Sequence, residues 1–489
     1  MMPSYSILIP VLLPFITGAA LLIFPKLTNR ARNTAILLES LVNLALVLLV
    51  VLKGPDGEFV LFRLLEGMNI AFRPDGAGRF FAVMVSVLWP LTLLYAFEYM
   101  EHEERQGKFF GFFMMTLGSV LGIAFASDIF TMYIFYEFLT LCTFPLVMHE
   151  MTDAALKAGR QYLTYMLGGA SFAFVGIIVL FMNGSSLTFR LGGGVVPGTV
   201  SRGVLIFVFF MIFCGFSVKA AMMPFGKWLI GAAVAPMPVT ALLHAVAVVK
   251  AGSFAVIRLI YYVYGTELIR GTWAQYAAIA LCAVTVLYGS TMAVKEPHLK
   301  RRMAYSTISN LSYILFGACI MTPMGMYAAL MHTAAHAVTK IALFLSVGAI
   351  MHVTGKCYIY EIDGLGKQMK GIFVCLLLGA LSIIGIPQFM GFNSKISLIR
   401  AAIDGGGAMD YAGAIAIIIS ALLTAVYLLN ILIRGYFPKD NAKCERFEEC
   451  HDPGWRMMIP IGLASAATLV LVIWWQTLSS YFKSISGLL

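Results

Sequence analysis

The chain has 489 residues, of which 60% are hydrophobic and 12% charged, and its mean hydropathy is +0.88. A soluble domain carries about a quarter charged residues, so this composition excludes an aqueous globular protein and points to one embedded in lipid. The net charge of +10 would suggest nucleic acid in a soluble chain; here its meaning depends on where the 34 Lys and Arg residues fall.

Apolar runs of about 20 residues, enough to cross about 30 Å of hydrocarbon, recur along the whole chain. Fourteen spans are predicted, at 5–25, 33–53, 79–98, 109–126, 129–148, 159–183, 203–223, 237–262, 273–294, 302–321, 324–351, 371–399, 411–433 and 457–480. Spans eleven and twelve are overlong and are expected to bend or break. The opening MMPSYS lacks the basic segment of a cleaved leader, so the first run is expected to stay as a helix. The expected fold is an all-α polytopic membrane protein with no extramembrane domain.

Loops after odd-numbered spans hold twenty Lys and Arg residues, including Lys26, Arg32, Arg105, Lys227, Lys300, Arg301, Arg302, Arg434, Lys439, Lys443 and Arg446. The opposite loops hold ten, including Arg73, Arg79, Arg190, Arg258 and Lys483. The positive-inside rule then places the richer side in the cytoplasm and both termini outside a cell inner (cytoplasmic) membrane. Four lysines lie inside spans: Lys219, Lys250, Lys340 and Lys395.

The eight cysteines form no disulfide framework. Cys444, Cys450 and His451 make a C-x5-C-H group whose spacing matches no common zinc site, so free thiols are expected. The Gly-rich segment 184–202 lacks the strand-then-helix setting of a phosphate loop and reads as an external turn or short hairpin. No metal or cofactor site is expected.

Two spans carry breakers beside a charge. Pro224 follows Lys219 in SVKAAMMPFGKWL, and Gly385 and Pro387 precede Lys395 in GIPQFMGFNSK. A proline inside a span removes a backbone hydrogen bond, and lipid tolerates such a gap only where protein or water receives the freed groups. Spans seven and twelve are five apart, an odd number, so corresponding elements cross in opposite directions. This is the arithmetic of two inverted five-helix repeats, a common setting for a transport site. The organisation expected is helices 1–3 at 1–107, a first repeat of helices 4–8 at 108–262, a second of helices 9–13 at 263–434, and a loop with helix 14 at 435–489.

A lysine at mid-membrane costs about 2.5 to 3.5 kcal/mol on insertion scales. A lysine near a span end escapes that cost by snorkelling, but beside a helix break or deep in a span a functional role is the default. Burial disfavours the charged form of an amine, and a neighbouring carboxylate restores it, so a lysine and a carboxylate that move relative to each other load and release a proton. Glu137, in TMYIFYEFLTLCTF, is taken as the only carboxylate in a deeply apolar stretch of the first half and is paired with Lys219. His244 precedes Lys250 by six residues, and His332, His336 and Lys340 repeat at i, i+4, i+8, on one helical face that drifts about 40°. Neutral histidines pass protons in either direction, and the stripe outlines a proton wire. A Lys- and His-rich interior favours protons over sodium; backbone carbonyls at the breaks or Asp128 keep sodium open.

Together YEF around Glu137, KAAMMPFGKWL, APMPVTALLHAVAVVKAG, LKRRMAYSTISNLSY, HAVTKIALF and GIPQFMGFNSK resemble the antiporter-like subunits of respiratory complex I, Mrp-type cation/proton antiporters and membrane-bound hydrogenases. The resemblance runs from about residue 130 to 400. It implies fourteen helices with breaks in helices 7 and 12, Glu137 tuning Lys219, His244 and Lys250 in a central channel, His336 and Lys340 in a helix-11 relay, and Lys395 as the terminal carrier. Three positions depart from the family pattern: Gly226 replaces a histidine, Ile230 a proline and Gln388 a second proline, with Lys227 able to supply a polar mouth.

The function expected is proton translocation by a membrane subunit of a redox-driven complex, with other membrane subunits as partners. No paired-cysteine cluster, haem motif or dinucleotide fingerprint is present in the sequence, so electron chemistry is assigned to those partners. The alternatives are an Mrp-type Na+/H+ antiporter subunit, a stand-alone antiporter, or a structural subunit whose charges dock neighbours.

Overall fold

The structure, a computed structural model, describes residues 3–24, 27–54, 57–438 and 450–488. A short turn leads into α1 (Leu8–Ile23) and α2 (Asn29–Lys53), and an antiparallel hairpin, β1 (Phe59–Leu65) with β2 (Met68–Phe72), precedes α3 (Gly76–Tyr99). There follow α4 (Gln106–Phe125), α5 (Ile129–Val147), α6 (Asp153–Met182), α7 (Arg202–Lys219), α8 (Lys227–Gly231), α9 (Met237–Ala245) and α10 (Val248–Arg258), the last running on as a π turn over Leu259–Tyr264. The remainder is α11 (Trp273–Lys295), α12 (Leu299–Cys319), α13 (Pro323–Thr354), α14 (Lys370–Ile384), α15 (Met390–Gly405), α16 (Ala408–Tyr436), α17 (Trp455–Ile473) and α18 (Trp475–Ser486).

Twelve helical runs among the described residues are long and apolar enough to cross a membrane, so the chain is a multi-pass membrane protein. The other two of the fourteen expected spans fall on α12, whose LKRRMAYSTISNLSY stretch lowers its hydropathy, and on the divided α14 and α15. The hairpin β1–β2 is the one departure from all-α among the described residues. Segment 184–202 is a turn with a single isolated bridge, Thr188 to Asp128, rather than a hairpin.

Sequence sets the helix ends. Thr28, Asp128, Thr152 and Thr322 accept from backbone N–H groups three residues on, filling orphan donors of α2, α5, α6 and α13. Inside α1, Pro14 has no N–H for the carbonyl of Pro10, and Asn43 of α2 donates its amide to that oxygen at 2.9 Å. Small residues let backbones close up, as lipid-embedded helices require. A Cβ at Gly169 of α6 would stand 2.8 Å from the carbonyl of Gly215 in α7, and one at Gly215 2.6 Å from that of Gly169.

The chain forms two compact units. The first comprises 1–90, 103–239 and 246–278; in it α1 packs on α4, α4 on α5, α6 on α7, and α7 on α10. The second comprises 91–102, 240–245 and 279–489. Its axis is α13, a continuous 32-residue helix that contacts α12, α14, α15, α17 and α18. Span eleven is therefore unbroken, while span twelve breaks as expected and span fourteen divides at Trp474 into α17 and α18.

Candidate functional site

In the first unit, α7 ends on Lys219, which is wholly buried. The chain then turns through Ala221, at φ +56°, and Met222 donates to the carbonyl of Ser217 at 3.1 Å while the Trp228 indole donates to that of Val218 at 2.7 Å. The end of α7 is thus capped without help from Lys219. The Lys219 ammonium reaches across to α5, where it donates to the carbonyl of Tyr136 and stands 3.2 Å from the centre of that residue's ring. Tyr136 in turn donates its hydroxyl to the carbonyl of Phe216 at 3.2 Å.

Glu137 is the next residue on α5. It lies within Coulombic reach of Lys219, but the lysine is bonded to the backbone beside it rather than to its carboxylate, and Oε1 of Glu137 is buried with no hydrogen-bond partner among the described residues. Lys250, fully buried, lies on α10 two residues before Gly252, where the helix meets the α7 break: a Cβ at Gly252 would lie 2.8 Å from the Lys219 carbonyl carbon.

In the second unit His244 is the penultimate residue of α9, fully buried, with its ring 4.9 Å from that of Phe344. Neither ring nitrogen has a hydrogen-bond partner among the described residues. The helix breaks after Ala245, at Val246 and Ala247, so span eight, read as one run, is divided. On α13, His332 and His336 lie with ring centres 6.1 Å apart, and His332 Nδ1 is 3.0 Å from the hydroxyl of Ser394, the residue before Lys395. Lys340, one turn on, donates to the Ser306 hydroxyl at 2.7 Å and the Met303 carbonyl at 3.2 Å. Lys395 donates to the last carbonyls of α14, Ile383 at 2.7 Å and Ile384 at 2.9 Å, and its Nζ lies 5.6 Å from the centre of the Tyr313 ring.

The structure therefore groups Glu137, Lys219 and Lys250 in one unit and His244, His332, His336, Lys340 and Lys395 in the other. It also corrects the inventory of charges. Arg258, counted as an outer-side loop charge, is fully buried on Asp75, framed by the rings of Phe189, Phe254 and Tyr262 at 4.7, 4.9 and 4.5 Å. Burial alone would raise the Asp75 carboxyl, but the Arg258 charge and its hydrogen bonds outweigh that and hold it below its ordinary value. Lys300 and Arg302, counted as cytoplasmic, are buried too, and Arg302 spends its guanidinium on the carbonyls of Glu296 and Tyr427.

Glu137 is not the sole intramembrane carboxylate of the first half. Glu39 lies ten residues into α2 with both oxygens buried and no hydrogen-bond partner among the described residues. Its place in NTAILLESLVNLALV was the available signal. Among the described residues no group of His, Cys, Asp and Glu has the arrangement of a metal site. Cys450 is a free thiol; Cys444, like Lys26, Lys439, Lys443 and Arg446, lies outside the described residues.

Residues 126–424 match the family model described as NADH:quinone oxidoreductase/Mrp antiporter, transmembrane. The chain is 28% identical over 387 residues to NADH-quinone oxidoreductase subunit N of Desulforudis audaxviator, covering 78% of this chain and 75% of the relative. It is also 28% identical over 431 residues to Na(+)/H(+) antiporter subunit A1 of Staphylococcus aureus, covering 83% of this chain and 52% of that one. Its fold matches a chain in the structure of the membrane-bound sulfane sulfur reductase, an archaeal respiratory membrane complex, with a TM-score of 0.85 at 21% identity, over 98% of this chain and 97% of the other. The chain belongs to the NADH:quinone oxidoreductase/Mrp antiporter family of polytopic membrane subunits.

Proposed function

We propose that the chain is the proton-translocating, antiporter-like subunit of a redox-driven membrane complex whose electron chemistry resides in partner subunits. The observation that carries this reading is the set of four lysines at 0 to 7% exposure inside the helical core, three of them, Lys219, Lys250 and Lys395, beside helix breaks. Ammonium groups so placed are costly unless they are used, and Lys219, Lys340 and Lys395 are each held by neutral carbonyl or hydroxyl oxygens.

Protons enter from the cytoplasm near Lys219, cross through Lys250, His244 and the α13 stripe that holds His336 and Lys340, and leave from Lys395. Both termini lie outside the cytoplasm, and the units of transport are the inverted repeats at 108–262 and 263–434. The backbone bond from Lys219 to Tyr136 supports a tuning role for Glu137, because a small shift of α5 moves the carboxylate and the carbonyl together relative to the ammonium. Lys219→Ala and Glu137→Gln in the intact complex, assayed by acidification of inverted vesicles during electron transfer, are each expected to depress pumping. Unchanged pumping in both would sink the proposal.

A second reading, an Mrp-type antiporter subunit that exchanges sodium or another cation for protons, is supported by the similarity to the Staphylococcus aureus subunit. Sodium efflux driven by a pH gradient in liposomes, with no electron donor present, selects it over the first.

A further inference from the structure

Helix α12 is the most polar long helix of the second unit, yet nearly all of it is buried. Its polar side chains do not all serve its own backbone. Seven hydroxyls at 0 to 1% exposure, from Ser290, Ser306, Ser309, Tyr313, Ser420, Thr424 and Tyr427, line the junction of α11, α12 and α16. The column starts on Lys340. Its Nζ is 2.7 Å from Ser306 Oγ, which is 2.6 Å from the Tyr427 hydroxyl, which donates to Thr424 Oγ1 at 3.3 Å.

One turn along the same face of α16 is Ser420, whose carbonyl takes the Thr424 hydroxyl at 2.7 Å. Residues so spaced have Cβ atoms about 5–6 Å apart, a step that one water or rotation of the Thr424 hydroxyl spans. Ser420 Oγ accepts from the Tyr313 hydroxyl at 2.7 Å and closes a three-membered ring with Ser309, at 3.0 Å, and Ser290. The Tyr313 ring then faces both ends of the imidazole stripe's exit: its centre is 5.2 Å from that of His332 and 5.6 Å from Lys395 Nζ.

We propose that this hydroxyl column is a second proton path from Lys340 to Lys395, running beside the path through His336 and His332. The inference rests on the proton-transfer reading above. A hydroxyl takes a proton on its oxygen as it gives up its own, so each step breaks one O–H bond and forms another, and the column returns to its starting composition once its hydroxyls rotate back. Tyr313 is the last hydroxyl of the column, and one water between its hydroxyl and Lys395 completes the transfer, while the Ser290, Ser309 and Ser420 ring supplies the alternative partners that let Ser420 turn between donor and acceptor.

The test uses the intact complex in vesicles and reads protons translocated per electron, with Lys340→Ala defining the contribution of this chain. The paired variants His332→Ala with His336→Ala, and Tyr313→Phe with Tyr427→Phe, are each expected to lower that contribution, by about threefold, and all four together by about tenfold or more, the scale on which a lost proton-transfer group is felt. Ser306→Ala in the histidine-free background cuts the column at its first hydroxyl and is expected to match the fourfold variant, which guards against a loss caused by misassembly. The proposal is overturned if the histidine pair alone abolishes the contribution, or if the tyrosine pair and Ser306→Ala add nothing in that background. A Lys340→Ala complex that pumps like the parent instead overturns the underlying reading.

Discussion

The broken helices of spans seven and twelve use a buried lysine in opposite ways. Before the first gap, Lys219 is the last residue of α7, and its helix end is closed by the Trp228 indole and the Met222 amide, which leaves the ammonium to reach another helix. After the second gap, Lys395 lies in the second turn of α15 and folds back onto the terminal carbonyls of α14. A cation there meets the negative end of a helix dipole. Lys219 is therefore a carrier whose proton state leaves the break intact. Lys395 is a carrier and a cap at once, so its proton state and the geometry of the break are one variable.

The largest effect that can break this contrast is functional. Lys219→Met and Lys395→Met are each expected to cut the proton transport attributable to this chain by about tenfold or more, since each removes a transfer group. Vesicle acidification per electron checks it. Two variants that transport normally would show the breaks to be architecture alone.

Stability separates the two lysines next. Both substitutions remove a buried ammonium, so the relief of desolvation is similar and cancels in the comparison. Lys395→Met leaves one buried and one part-buried carbonyl of α14 without their donor, whereas the Tyr136 carbonyl keeps the helical position it has in α5 and a contact from the Thr140 hydroxyl. An unmade bond to a buried group costs about 1–3 kcal/mol. Lys395→Met is thus expected to melt below Lys219→Met in detergent; equal melting temperatures would remove the cap from the account.

The breaks themselves were legible because Pro224, Gly385 and Pro387 are written into the sequence, and the lysines because a charge within an apolar run is conspicuous. The third break was not. HAVAVV has neither glycine nor proline, and Ala247 stands at φ −87°, ψ −85° between two helices. Counting cations by side of the membrane hid Arg258 and Lys300, because that rule treats a charge near a span end as exposed, whereas a bidentate carboxylate and three rings make burial favourable for Arg258. The hydroxyls of α12 were on view in YSTISNLSY, but only the fold brings Ser306 to Lys340 and Tyr427.

A smaller effect sharpens the contrast at the turns. Gly385 leaves α14 at φ +91°, where an L side chain is strained by about 1–2 kcal/mol, so Gly385→Ala is expected to destabilise by about that amount. At the first break the left-handed position is held by Ala221, at φ +56°. Ala221→Gly relieves the native strain but adds about 0.4–1 kcal/mol of freedom to the unfolded chain, so the net change is expected to be near zero. Melting of the two variants side by side tests whether the second break, the one whose cap carries the proton, is also the one with less tolerance in its backbone.

The smallest effect lies outside the membrane, where α12 begins. His298 caps that helix: its Nδ1 accepts from the Lys300 amide at 3.2 Å, its ring faces Tyr358 at 5.4 Å, and Leu299 bonds to the carbonyl of Cys357 in the loop after α13. Burial, then Arg301 and Lys300, hold the imidazole below its ordinary value, with Glu296 opposing. A histidine so depressed is neutral in the fold but takes a proton in the unfolded chain from about pH 6.5 downward, so the unfolded state binds more protons and stability falls as pH drops through that window. Once Nδ1 is protonated it no longer accepts, and the Lys300 amide is released. Hydrogen exchange at Lys300 is therefore expected to speed up, beyond the intrinsic pH trend, on going from pH 7.5 to 5.5, and His298→Asn, which keeps a capping oxygen, is expected to abolish the excess. Lys395 would then be joined by a second cap in the same unit whose proton state sets a helix end, while exchange indifferent to both changes would leave Lys395 alone in that role.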